Sequence, residues 1–187
     1  KLGLAGRKIS TQEVSWHIAP AINASGRMGQ ADVAVRLLLS PDSLEREELA
    51  GQIIGFNEER KQIGSEAWLI AESRARENLP AFHEKLLIAH GQDIHRGVTG
   101  IIANRLSKQF KLPSIVISLG QETSSASLRS VADYDLRGIL DQCKDLLEDS
   151  GGHSFAAGFS FKTENLDALL KRLADIAISI EFDSSCQ

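Results

Sequence analysis

Leu86-Leu87-Ile88-Ala89 is a short apolar run that reads as a buried strand, and its place ahead of a helix and a second strand decides the fold. Val98 to Phe110 reads as helix. Ser114-Ile115-Val116-Ile117-Ser118 then reads as a second buried strand, rich in β-branched residues. Strand, helix and strand in close succession mark a layered α/β domain. The alternation continues beyond them. Thr123 to Leu128 reads as a third strand, small and polar enough to predict a place at a sheet edge or beside a ligand. Asp135 to Leu147 is an amphipathic helix, Ala157 to Phe161 a fourth strand and Asn165 to Ile178 a closing helix. The sequence therefore predicts an α/β fold, with a mixed central sheet flanked by helices.

Upstream of Pro80 the texture is helical. Ser10-Thr11-Gln12-Glu13 is a capping box, which predicts a short helix from about Thr11 to Ile18, ended by Pro20. A loop is predicted over Ala21 to Gly29, and a helix over Ala31 to Leu39. Ser40-Pro41 reads as a capping serine with proline at the first helical position. Leu49, Ile53, Phe56, Ile63, Ala67 and Ile70 form one apolar stripe along a long helix ending near Asn78. Gly51, Gly55 and Gly64 lie inside it and mark places where it could break. Residues 1–78 thus read as a helical connector, and residues 79–187 as the compact α/β domain.

Three clusters can carry chemistry. Gly151-Gly152-His153-Ser154-Phe155-Ala156-Ala157-Gly158 is a poor helix and a poor core, and reads as a loop. Glycine lets backbone N–H groups approach an anion unshielded, and His153 adds a donor, acceptor or proton carrier. The plainer alternative is a tight helix-to-strand turn. Ser127-Leu128-Arg129-Ser130 lies on the third strand, where residues two apart share a face. Ser127 and Arg129 would then offer one ligand a hydroxyl and a guanidinium, both suited to a terminal phosphate. An ordinary polar strand end is the alternative there. In Asn23-Ala24-Ser25-Gly26-Arg27, Arg27 reads as lying in a glycine-flanked loop ahead of a helix, where N–H groups are free for anions. Its alternative is a surface arginine beside a turn.

Bulk properties narrow the setting. The chain has 187 residues, 42% hydrophobic and 25% charged, with a net charge of −4. That balance argues against a nucleic-acid binder that uses its whole surface. Lys and Arg outnumber acids over residues 1–40 and 79–140, while acids dominate residues 41–78 and 141–187. A polyanion would be gripped at local basic points. No apolar run is long enough to span a bilayer, which predicts no membrane partner. Cys143 and Cys186 lack metal-ligand spacing, so a reduced, cytoplasmic setting is expected. His17, His83, His90 and His95 form no helical metal pair, and no Asp/Glu-rich metal motif stands out.

Taken together, four segments resemble the RecJ family of single-strand-specific exonucleases within the DHH phosphoesterase superfamily. Ile18-Ala19-Pro20-Ala21-Ile22-Asn23-Ala24-Ser25-Gly26-Arg27-Met28-Gly29 is similar to that family's connector motif, and Phe56-Asn57-Glu58-Glu59-Arg60-Lys61 to its linker helix. Gly97-Val98-Thr99-Gly100-Ile101-Ile102-Ala103-Asn104-Arg105-Leu106 resembles the first helix of the DHH-associated domain. Ser127 to Ser130 and Gly151 to Gly158 resemble that domain's substrate-facing motifs. Two positions depart from the pattern: Ala21 stands where arginine is frequent, and Ile94 where an aromatic is frequent.

The resemblance implies a metal-dependent exonuclease that degrades single-stranded DNA from the five-prime end, in repair and recombination. It implies divalent ions, Mn or Mg, in a DHH domain upstream whose aspartate-rich motifs this sequence lacks. This chain would bind no metal and be inactive alone, its partners being single-stranded DNA and that DHH domain. Arg27, Ser127, Arg129, Ser130, Gly151, Gly152 and His153 would hold phosphate, with His153 closest to the chemistry. Two other readings stay open: a phosphodiesterase of short oligonucleotides or cyclic dinucleotides, and a non-catalytic nucleic-acid-binding or assembly module.

Overall fold

The computed structural model describes residues 2–4, 6, 8–130 and 134–181. Cys186 lies outside them. The chain forms two compact units, residues 1–65 and 66–187, which divide within one long helix. The boundary read from the sequence, after residue 78, is instead that helix's end.

The first unit is helical. Its capping box is present, with the Ser10 N–H donating to Glu13 Oε2 at 3.0 Å, and it opens α1 (Thr11–Glu13). Pro20 does not end the helix, contrary to the sequence reading. A π-helical turn over Val14–Ile18 leads straight into α2 (Ala19–Arg27), with Pro20 in its first turn. Proline cannot donate to the preceding turn, and the wider π turn just ahead of Pro20 is where the helix accommodates it. The predicted loop over Ala21 to Gly29 is therefore mostly helix. Only after Arg27 does the chain turn, through Gly29 at φ 76°, into α3 (Ala31–Leu39).

The fourth helix, α4 (Ser43–Asn78), starts later than Ser40-Pro41 suggests. Asp42 takes the capping role, its Oδ1 accepting from the Leu44 N–H at 2.9 Å. The helix runs unbroken through its three glycines. Leu49 and Ile53 pack with Ala21, Val33 and Ala34 in the first unit's core. Farther along, the buried positions are Ala67, Trp68, Ala71 and Ala75, with Ile63 and Ile70 only half-buried.

The second unit is built on a five-stranded mixed sheet of order β1-β2-β3-β5-β4. Its strands are β1 (Leu87–Gly91), β2 (Ser114–Ser118), β3 (Thr123–Arg129), β4 (Asp149–His153) and β5 (Ala156–Lys162). β1 and β2 are parallel and joined through α5 (Thr99–Phe110), while the other pairings are antiparallel. One face of the sheet packs on α6 (Arg137–Cys143) and α7 (Leu166–Ile178), burying Ile115, Ile117, Ala126, Leu128, Ala157, Phe159 and Phe161. The other face meets α5 at β2 and β3.

Three sequence readings change here. β3 is the central strand, not an edge. Its small residues reflect a half-open face, while Ser124, Ala126 and Leu128 point into the core. The glycine-histidine segment is not a loop: its first residues form β4, in a hairpin with β5 that turns at Ser154 and Phe155. The helix predicted from Asp135 starts at Arg137, because the Asp135 carboxylate accepts from the Arg137 N–H at 3.0 Å. Hydrogen bonds from the Arg137 side chain and backbone hold the Asp135 carboxyl down to about 2. That helix gives way to a 3-10 turn over Lys144–Leu146. Cys143 is buried, its thiol pushed up to about 11 by desolvation, which fits a packing role.

Candidate functional site

Alternation along β3 and the register of its neighbours build the site. Ser127 lies opposite Gly158, which lies opposite Gly151. Arg129 lies opposite Ala156, which lies opposite His153. Directly opposed residues share a face. Six positions, spread along the chain from Ser127 to Gly158, are thus brought to one surface. It is the face that α5 covers only in part: Gly151, His153 and Ala156 are exposed, and Ser127, Arg129 and Gly158 are half-buried.

The floor of this surface is nearly all backbone. Gly158 permits close packing, since a Cβ there would lie 3.2 Å from the Ala126 carbonyl oxygen. Gly151 faces open space. Gly152 is needed for a different reason. Its φ is 144°, and a Cβ would stand 2.4 Å from the Ala157 Cα. It belongs to the site by shaping β4 rather than by facing a ligand: its partner Ala157 points to the core.

Arg129 is held over this floor. Its Nη1 donates to the Leu128 carbonyl at 2.6 Å and more weakly to the Ala157 carbonyl at 3.4 Å. Its guanidinium also lies against the first turn of α5, where a Cβ on Gly100 would come within 2.8 Å of Nη2. Thr99, in the same turn, contacts the Ser127 hydroxyl at 2.9 Å. The amino-terminal end of a helix favours negative charge, so α5 reinforces the cation beside it. Ser130 stands at the rim, its N–H donating to the Phe155 carbonyl at 3.1 Å and tying β3 to the hairpin turn. Sequence pattern alone marks no role for Thr99 and Gly100, although a glycine just inside a helix start signals a close approach.

Ser127, Arg129, Ser130, Gly151, Gly152 and His153 all belong to the second unit. Arg27 belongs to the first. It occupies the last turn of α2 rather than a loop. Burial, and then the nearby Arg60 guanidinium, hold its pKa below the ordinary arginine value.

A second polar concavity lies at the carboxyl end of β1, lined by Arg74, Asn78, His90 and Asp93. The Arg74 guanidinium lies across Gly91, gripping Asp93 at 2.5 and 2.9 Å and the His90 carbonyl at 3.1 Å. This pair latches α4 to the strand end.

Among the described residues, no three His, Cys, Asp or Glu side chains gather as a possible ligand set for a metal ion. The donors on the open face are a guanidinium, hydroxyls, an imidazole and backbone amides. That chemistry suits an oxyanion and does not suit a divalent cation, which prefers carboxylate and carbonyl oxygen.

Known proteins resemble this chain in sequence and in fold. Residues 83–179, just over half of the chain, match the DHHA1 domain family. The single-stranded-DNA-specific exonuclease RecJ of Bacillus subtilis is 36% identical over 168 residues, covering 89% of this chain and 21% of that protein. RecJ of Thermus thermophilus is 33% identical over 161 residues, covering 85% of this chain and 22% of that protein. The crystal structure of RecJ from Thermus thermophilus in complex with Mn2+ superposes with a TM-score of 0.80 at 29% identity. The match covers 94% of this chain and 26% of that one. The chain therefore spans about a fifth of the length of these curated relatives. By sequence and by fold, the chain belongs to the DHHA1 domain family and is RecJ-like along most of its length.

Proposed function

We propose that the open half of the sheet binds the terminal phosphate of single-stranded DNA, as part of a RecJ-like exonuclease acting from the five-prime end. The observation that carries this reading is the alignment of Ser127, Arg129, Gly151 and His153 on one face, only partly covered by α5. Arg129 supplies charge, and Ser127 a hydroxyl at the same phosphate. The glycine floor lets the strand end settle against backbone. His153, exposed at the end of β4, donates a hydrogen bond or a proton at the neighbouring phosphate. Arg27, in the helical unit, contacts the DNA backbone or stiffens the connector.

In this reading the chain binds and orients, and the hydrolytic step belongs to a DHH domain whose carboxylates hold the divalent ions. Fixing a phosphodiester in place contributes much of the rate in phosphoryl transfer. The chain alone is then inactive. Manganese-dependent degradation of single-stranded DNA by residues 1–187 would sink that part of the proposal.

The binding role has its own test. In the whole protein, Arg129→Ala should raise KM for phosphate-ended strands on the order of ten- to a hundred-fold. Hydroxyl-ended strands of the same sequence should suffer much less. Equal losses on both would remove the phosphate pocket.

A further inference from the structure

Thr99 is buried, and its Oγ1 touches two partners. It lies 2.9 Å from the Arg96 carbonyl oxygen and 2.9 Å from Ser127 Oγ. A threonine hydroxyl carries one proton and a carbonyl oxygen carries none. The contact with Arg96 therefore exists only with Thr99 as donor. Its proton is then committed, so in the second contact Ser127 must donate and Thr99 accept. The Ser127 proton is committed in turn, and Ser127 Oγ presents lone pairs to the open face. A phosphate oxygen arriving there also presents lone pairs. In this arrangement the two cannot bond.

We infer that Thr99 is a positioning residue that holds the Ser127 hydroxyl as an acceptor toward the open face, so that a phosphate-ended strand must turn both hydroxyls to bond it. This inference rests on the phosphate-binding reading above. In the switched state Thr99 turns its proton from the Arg96 carbonyl to Ser127 Oγ, and Ser127 turns its own proton to the phosphate. Both steps are rotations about C–O bonds, so no covalent bond forms or breaks and the proton count is unchanged. The switched chain runs one way, from Thr99 through Ser127 to the phosphate, and it leaves the Arg96 carbonyl without the Thr99 proton. A strand ending in a hydroxyl can instead donate to Ser127 as it stands. Thr99 thus weighs more heavily on phosphate-ended than on hydroxyl-ended strands.

The test uses the whole protein, with KM and kcat measured on single strands of one sequence bearing either five-prime end. Thr99→Val keeps the branched shape and removes the hydroxyl. It frees the Ser127 proton and should lower KM for phosphate-ended strands about five-fold, the worth of one ordinary hydrogen bond, while KM for hydroxyl-ended strands changes less. Thr99→Ser should restore the wild-type ratio, and Thr99→Ala repeats the measurement should the valine variant not fold. In a Ser127→Ala background, Thr99→Val should add nothing further. A rise for phosphate-ended strands, an unchanged ratio, or additive effects in the double variant would overturn the relay. If Ser127→Ala alone leaves the ratio unchanged, the phosphate-binding reading fails and the relay with it.

Discussion

The two faces of the sheet are built from the same strands and do opposite things. On one, Leu128, Ala126, Phe159 and Phe161 pack under α6 and α7, with Phe161 and Leu128 at 0% exposure. On the other, the residues between them, Ser127, Arg129, Gly158 and Ala156, stay small or polar, and beyond α5 the face is uncovered. A strand's period of two lets one segment hold a fold with every second residue and offer a binding surface with the rest. The difference implies separable consequences: changes on the packed face should cost stability, and changes on the open face should cost recognition.

The largest effect should come from the packed face. Phe161→Ala empties a fully buried site and should lower unfolding free energy by about 3–5 kcal/mol in chemical denaturation. Any loss of binding should come only from unfolding. A smaller loss, about 2–4 kcal/mol, is expected for Gly152→Ala, which forces a side chain into Ala157 at a backbone angle that suits glycine. This change sits at the edge of both faces. It should disturb β4, and with it the place of His153, so stability and phosphate binding should fall together. A Gly152→Ala variant as stable as the wild type would break the claim that this glycine is structural.

Gly100→Ala sharpens the comparison at the smallest scale. Its backbone is ordinary helix, so alanine should add up to about 1 kcal/mol of stability. The new Cβ must push the Arg129 guanidinium aside, because it would lie 2.8 Å from Nη2. Phosphate-ended strands should then bind about two- to five-fold more weakly, a fraction of one charged hydrogen bond. A protein that melts higher and binds phosphate less well would show stability and recognition to be separate at a single residue.

Much of this was legible in the sequence. Apolar runs such as Ser114–Ser118 and the helix from Ala31 to Leu39 announce themselves by pattern, and the structure places them where periodicity did. The pairing of Ser127 with Arg129 came from strand alternation alone. What failed were places where one strong local signal met a longer-range effect. Pro20 reads as a stop, yet a π-helical turn carries the chain into it. Gly151 and Gly152 read as loop, yet pairing with β5 makes them strand. Asp42, not Ser40, caps α4, because its carboxylate reaches the Leu44 amide. The cross-strand register that aligns Gly151 with Ser127 depends on sheet order, which no local pattern encodes. For the same reason Thr99 and Gly100 gained their roles only once α5 lay beside β3.

The most direct test of the open face is binding itself, tracked residue by residue. Backbone amide shifts of the chain would be recorded while titrating a short single strand with a five-prime phosphate, and then its five-prime-hydroxyl twin. The account predicts that the phosphorylated strand perturbs Thr99, Gly100, Ser127, Arg129, Gly151 and His153. It also predicts that the hydroxyl twin does so only weakly, and that Arg129→Ala abolishes the difference. Equal perturbation by both strands, or perturbation centred elsewhere, would contradict it.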